Sequence, residues 1–129
     1  MPLALSNKNI TARFVQKDSS FGATESFSTK MVTHNNSGSD FVLMSIDSCI
    51  ETFSLPIPTM IKIDVDGAEI DVLEGATKLL KNPHLISILV EVDEGNALKV
   101  EEILTEASFK LVDEERMDEH TINYIFTRE

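Results

Sequence analysis

Cysteine is nearly missing from this chain of 129 residues. Cys49 alone cannot close an internal disulfide or build a cysteine-ligated zinc site. The expectation is therefore a reducing, cytoplasmic setting. Long apolar runs are missing too. Ile86-Ser87-Ile88-Leu89-Val90 is typical of the longest, far short of the roughly 20 residues that span a bilayer. Met1-Pro2-Leu3-Ala4-Leu5 meets polar residues too soon to read as a signal peptide. Positive charge is scarce: 11 Lys and Arg stand against 22 Asp and Glu, for a net charge of -11. The deficit is uneven, because residues 1–60 carry four cations and five anions whereas residues 61–129 carry seven and 17. Binding nucleic acid by neutralising phosphates needs clustered cations, and none cluster here. The same acidity argues against docking to an anionic membrane.

The remaining composition is that of a soluble globular domain, 42% hydrophobic and 26% charged with mean hydropathy -0.03. Its length suits one domain. Residues 6–40 are polar, interrupted by the alternating segment Ile10–Val15, which predicts a half-buried strand with Ile10, Ala12 and Phe14 on one face. Asp18–Ser26 reads as a loop, and Phe41–Ile46 as a second strand. From residue 60 the pattern becomes regular. A buried strand is predicted over Met60–Val65, then a helix over Ala68–Lys81 with Ile70, Leu73, Thr77 and Leu80 on its inner stripe. Asn82-Pro83 ends that helix. A buried strand over Leu85–Val92, a helix over Asn96–Ala107 and strands over Phe109–Val112 and Ile122–Phe126 follow. Strand–helix alternation predicts an α/β fold with parallel strands. Only Asp113–Thr121 separates the last two strands, which makes them antiparallel neighbours.

In open α/β sheets, ligands bind beyond the carboxyl ends of the strands. Two loops qualify, Asp64-Val65-Asp66-Gly67-Ala68-Glu69 and Glu91-Val92-Asp93-Glu94-Gly95. Adjacent parallel strands would bring these acids into one crevice, where repulsion raises carboxyl pKa values or recruits a cation. The plainer reading is that the acids cap two helices. An EF-hand fails, because glycine arrives at the fourth position rather than the sixth. Asp-x-Asp-Gly after a buried strand also resembles the nucleophile of haloacid-dehalogenase-like phosphotransferases, although Ala68 stands where that family has threonine. Asp-x-Asp likewise resembles the metal-nucleotide site of sugar transferases.

The longer string Ile61-Lys62-Ile63-Asp64-Val65-Asp66-Gly67-Ala68-Glu69, with Val72-Leu73-Glu74-Gly75-Ala76, strongly resembles the signature of FkbM-type methyltransferases. Ala4-Leu5-Ser6-Asn7, Ser45-Ile46-Asp47-Ser48, Leu89-Val90-Glu91-Val92 and Asn123-Tyr124-Ile125-Phe126 resemble flanking stretches of the same family. The resemblance implies a Rossmann-like sheet, S-adenosylmethionine as cofactor and O-methylation of a small-molecule or sugar hydroxyl. It implies Asp64, Asp66 and Glu69 as site residues, with Asp64 and Asp66 also toward the cofactor. Such a carboxylate could orient the acceptor, take its proton or hold the cofactor's cationic amino-acid end. No metal ligand is expected.

Complete members of this fold begin with a strand and a glycine-rich turn. Gly22, Gly38, Gly67, Gly75 and Gly95 include no G-x-G pair. The expectation is a single incomplete methyltransferase domain over residues 1–129: part of the Rossmann-like sheet, mixed parallel with an antiparallel C-terminal strand, plus a β-rich N-terminal stretch. The strand at Ile61–Val65 would then present a free edge. Such a chain could be a truncated frame, a fragment, or one completed by a second copy or another polypeptide. A non-catalytic α/β interaction remnant and an Asp64-nucleophile phosphotransferase are the rival functions. His34, His84 and His120 read as surface or loop residues, Gly22 as part of a plain loop and Cys49 as a small buried apolar residue. Asp113–Glu119 reads as a solvated loop.

Overall fold

Short runs of β-branched and aliphatic residues become strands, and the amphipathic stretches between them become helices. The computed structural model describes residues 3–14 and 39–129. The loop expected at Asp18–Ser26, Gly22 within it and His34 lie outside the described residues, as do the side chains of Ala12 and Phe14.

Two sheets form. The first has the order β1-β3-β2, from β1 (Leu3–Leu5), β2 (Ile10–Phe14) and β3 (Ser39–Met44), with β1 parallel and β2 antiparallel to β3. The second has the order β4-β5-β7-β6, from β4 (Met60–Asp64), β5 (Ser87–Asp93), β6 (Lys110–Arg116) and β7 (Thr121–Thr127). β4 and β5 are parallel, and β7 runs antiparallel to both β5 and β6. The fold is thus a mixed α/β one, with the parallel pair and the antiparallel C-terminal strand where the sequence places them.

The second sheet buries one face. Ile88, Val90 and Val92 of β5 stand opposite Phe126, Tyr124 and Ile122 of β7, and all six are buried. Leu73, Val100, Leu104 and Phe109 complete that core from the helices and their ends. The helices are α1 (Ile46–Phe53), α2 (Glu69–Glu74), α3 (Thr77–Lys81) and α4 (Ala97–Glu106), the last preceded by a single 3-10 turn at Glu94–Asn96.

Five expectations need correction. Ile46 begins α1 instead of ending β3, because the Ser45 hydroxyl accepts from the Ser48 N–H at 3.1 Å and caps the helix. The helix expected over Ala68–Lys81 is two helices broken at Gly75-Ala76; its buried residues include Val72, Leu73, Leu79 and Leu80, while Thr77 is exposed. The cause is tertiary: Asp47 donates its N–H to the Gly75 carbonyl at 3.1 Å and its carboxylate accepts from the Leu79 N–H at 3.0 Å, so the two ends of that helical bond are taken. The Ser6 backbone crosses so near Gly75 that a Cβ there would lie 2.2 Å from the Ser6 carbonyl oxygen. β4 is not buried throughout: only Ile63 is, because this strand has a single neighbour among the described residues. Finally, Asp113–Arg116 belongs to β6, whose residues are all exposed, and charge on an edge strand discourages edge-to-edge pairing. Ile10 is exposed too, not turned inward.

Candidate functional site

The register of the parallel pair sets Asp64 directly beside Glu91. Both lie on the sheet face opposite the buried Ile63 and Val90, at the carboxyl ends of their strands. Because β6 runs parallel to β5, the turn after β6 reaches the same edge. The result is a cleft of about 330 Å³. Asp64, Asp66, Gly67 and Glu69 line it from the first loop, Glu91, Val92 and Asp93 from β5, and His120 and Thr121 from the β6–β7 turn. The three acids carried over from the sequence therefore meet in one place.

Their environments differ. Asp64 is half-exposed, and its carboxylate lies 3.2 Å from the Lys62 ammonium. Such a solvated pair is weak and leaves the acid available. Beside it, the Glu91 carboxyl is held above its usual range, first by desolvation within the cleft and then by the charge and hydrogen bond of Asp64. Asp66 is exposed and sits at φ 40, with Gly67 after it at φ 96. Left-handed backbone is tolerated by aspartate and suits glycine. A Cβ on Gly67 would meet no neighbour, so conformation rather than space calls for glycine here. The Ala68 N–H donates to the Val65 carbonyl at 3.2 Å and closes this turn.

Glu69 is the inward acid, only 1% exposed. Its Oε1 accepts from the Gly67 N–H at 2.8 Å and its Oε2 from the Asn96 side-chain amide at 3.0 Å. Buried carboxylates need such donors.

Four further residues shape the cleft beside these three acids. Glu91 appeared in the second acidic loop, but its register with Asp64 follows from strand pairing. His120 is an exposed turn residue, as the sequence suggests, and the β6–β7 turn carries it to the cleft wall. Asp118 fixes that turn by accepting from the His120 and Thr121 N–H groups at 2.7 and 2.8 Å, and these bonds depress its pKa. Asn96 carried no signal beyond its place at a helix start.

A second, apolar groove of about 460 Å³ shares β4 as a wall; Ile46, Cys49, Ile50, Leu55 and Ile61 line part of it. Cys49 is half-buried there with its thiol free. Among the described residues no group of three or more His, Cys, Asp or Glu side chains is arranged to hold a metal ion, and no helix is long and apolar enough to cross a membrane.

Neither a curated protein nor a solved structure matches this chain. A family model does: the methyltransferase FkbM domain matches residues 1–127, essentially the whole chain. With the α/β sheet and the signature nonapeptide at its ligand edge, that match places the chain in the FkbM methyltransferase family.

Proposed function

We propose that this chain carries the acidic edge at which cofactor and acceptor meet in an S-adenosylmethionine-dependent O-methyltransferase acting on a hydroxyl of a small molecule or sugar. The observation that carries this reading is the acidic cleft at the carboxyl ends of β4 and β5, where Asp64 meets Glu91 and the left-handed Asp66-Gly67 turn lines the same space. The donor set fits a cationic cofactor. Desolvation, and after it the neighbouring Asp64 charge, raises the Glu91 carboxyl, and a positive group in the cleft relieves the repulsive part. When bound, S-adenosylmethionine supplies a methyl group already activated on a sulfonium.

The protein's share is alignment, which alone provides much of the rate in such transfers. In this reading Asp64 and Asp66 offer carboxylates to the cofactor's cationic end and accept a hydrogen bond from the acceptor hydroxyl, orienting its lone pair. Glu69, with both oxygens engaged, acts through the turn it holds. Among the described residues β4 pairs on one side only, and its other edge is where the further strands expected from the sequence would pair. Family membership favours methyl transfer over the phosphotransferase and the non-catalytic remnant.

The test is transfer of a labelled methyl group from S-adenosylmethionine to a panel of hydroxylated small molecules and sugars. Label is expected on oxygen, with the rate falling about a hundredfold in Asp64→Asn, as for loss of an acid–base or orienting group. Label on nitrogen alone, or undiminished rates in both Asp64→Asn and Asp66→Asn, would contradict the assignment.

A further inference from the structure

We propose that Asn96 is a positioning residue of the methyl-transfer site, holding the Asp66-Gly67 turn in its working shape through the buried carboxylate of Glu69. This rests on the reading of the cleft given above. The turn has two consecutive left-handed residues, one of them the non-glycine Asp66, so its shape must be imposed by its surroundings. Glu69 imposes it by taking the Gly67 N–H at 2.8 Å. A carboxylate that deeply buried is itself held only by donors, and Asn96 supplies the second, at 3.0 Å. The same amide nitrogen lies 3.3 Å from the Gly67 carbonyl oxygen. Asn96 therefore grips Gly67 from both sides, directly at its carbonyl and through Glu69 at its N–H.

Asn96 is in turn fixed by its own loop. It ends the 3-10 turn at Glu94–Asn96. The Glu94 N–H donates to the His120 carbonyl at 2.7 Å, and the Glu94 carboxylate pairs with the Arg116 guanidinium at 2.8 Å. The loops after β4, β5 and β6 are thus joined in one hydrogen-bonded chain, and Asn96 is the link that reaches the acids of the first loop. Its role is positional, since its amide N–H groups are spent on Glu69 and Gly67.

The experiment compares the full chain with Asn96→Ala, Asn96→Asp and the double variant Asn96→Asp with Glu69→Gln. Two quantities are read at a temperature where circular dichroism shows each protein folded: amide hydrogen exchange at Gly67 and affinity for S-adenosylhomocysteine. Both single variants should speed exchange at Gly67 and weaken binding about tenfold, the scale of one hydrogen bond to a charged group. Asn96→Asp should be the worse, because it sets two carboxylates against each other in a buried place. The double variant should recover both quantities, since it exchanges amide and carboxylate across the same contact. Unchanged Gly67 exchange in Asn96→Ala would overturn the proposal. So would faster exchange with affinity retained, which would make Asn96 structural only. Failure of the unaltered chain to bind S-adenosylhomocysteine would overturn the reading of the cleft itself and the proposal with it.

Discussion

Arg128 shows how one side chain can close a sheet from below. Its guanidinium donates to the carbonyls of Leu80 at 2.6 Å, Leu85 at 2.8 Å and Ala107 at 3.3 Å, and also to that of Asn82. These acceptors lie at the C-terminal ends of α3 and α4 and just before β5, where carbonyls lack helical partners. The planar group also stacks 4.4 Å from the Phe109 ring centroid. Tyr124 occupies the core between the same layers, 5.8 Å edge-on to Phe126. Burial, then the hydrogen bond and charge of Glu101, push its hydroxyl up to about 12. An unfolded tyrosine titrates near 10, roughly. The native state therefore holds the proton more tightly, and the stability this contributes is complete below about pH 10 and lost as pH rises toward 12. Tyr124 is the chain's one tyrosine and there is no tryptophan, so its ultraviolet titration is unobstructed. Tyrosinate absorbance in the folded protein should appear near pH 12 and shift down on addition of urea; absorbance rising near pH 10 in the folded chain would contradict the buried environment.

Elements depend on one another in ways that local pattern does not carry. α3 has no capping side chain of its own. Asp47 of α1 serves instead, accepting from the Lys78 and Leu79 N–H groups at 2.8 and 3.0 Å and from the Thr77 hydroxyl at 3.2 Å. The N-terminal segment is pinned to α2 where Asn7 donates to Glu74 at 2.9 Å and where Ser6 crosses Gly75. Gly75→Ala should cost about 2 kcal/mol or more by overpacking against backbone that cannot yield, measured by urea unfolding. Gly95→Ala, where a Cβ would meet nothing, is the control and should change stability by less than about 0.5 kcal/mol. Equal effects at the two sites would contradict the crossing. The strands of the second sheet were legible in the sequence because their apolar runs are short and bounded by Gly, Pro or charge. The break at Gly75 was not, because the residue that takes its helical hydrogen bond is Asp47, distant in sequence. β6 ran past its expected end because an edge strand exposed on both faces has no alternation to read. The site divides the same way. Asp64, Asp66 and Glu69 stand in one local motif, whereas Glu91, Asn96 and His120 reach it through register and topology.

At the scale of the whole molecule, the charge asymmetry and the sheet topology converge. The acidic half is the half that forms the second sheet, and three of its loops meet at one edge. Joined by Asn96, Glu94 and Arg116, those loops present carboxylates on a frame of hydrogen bonds. Repulsion among them is a standing cost that a cationic ligand removes, so the cleft should gain stability on binding one. In the reading proposed above, that ligand is S-adenosylmethionine. The direct measurement is calorimetric titration of the folded chain with S-adenosylhomocysteine, repeated with Asp64→Ala. Binding of about micromolar strength, weakened at least tenfold by the substitution, is the result expected if the acidic edge holds the cofactor. A folded chain that releases no heat, or one that binds equally well without the Asp64 carboxylate, would contradict it.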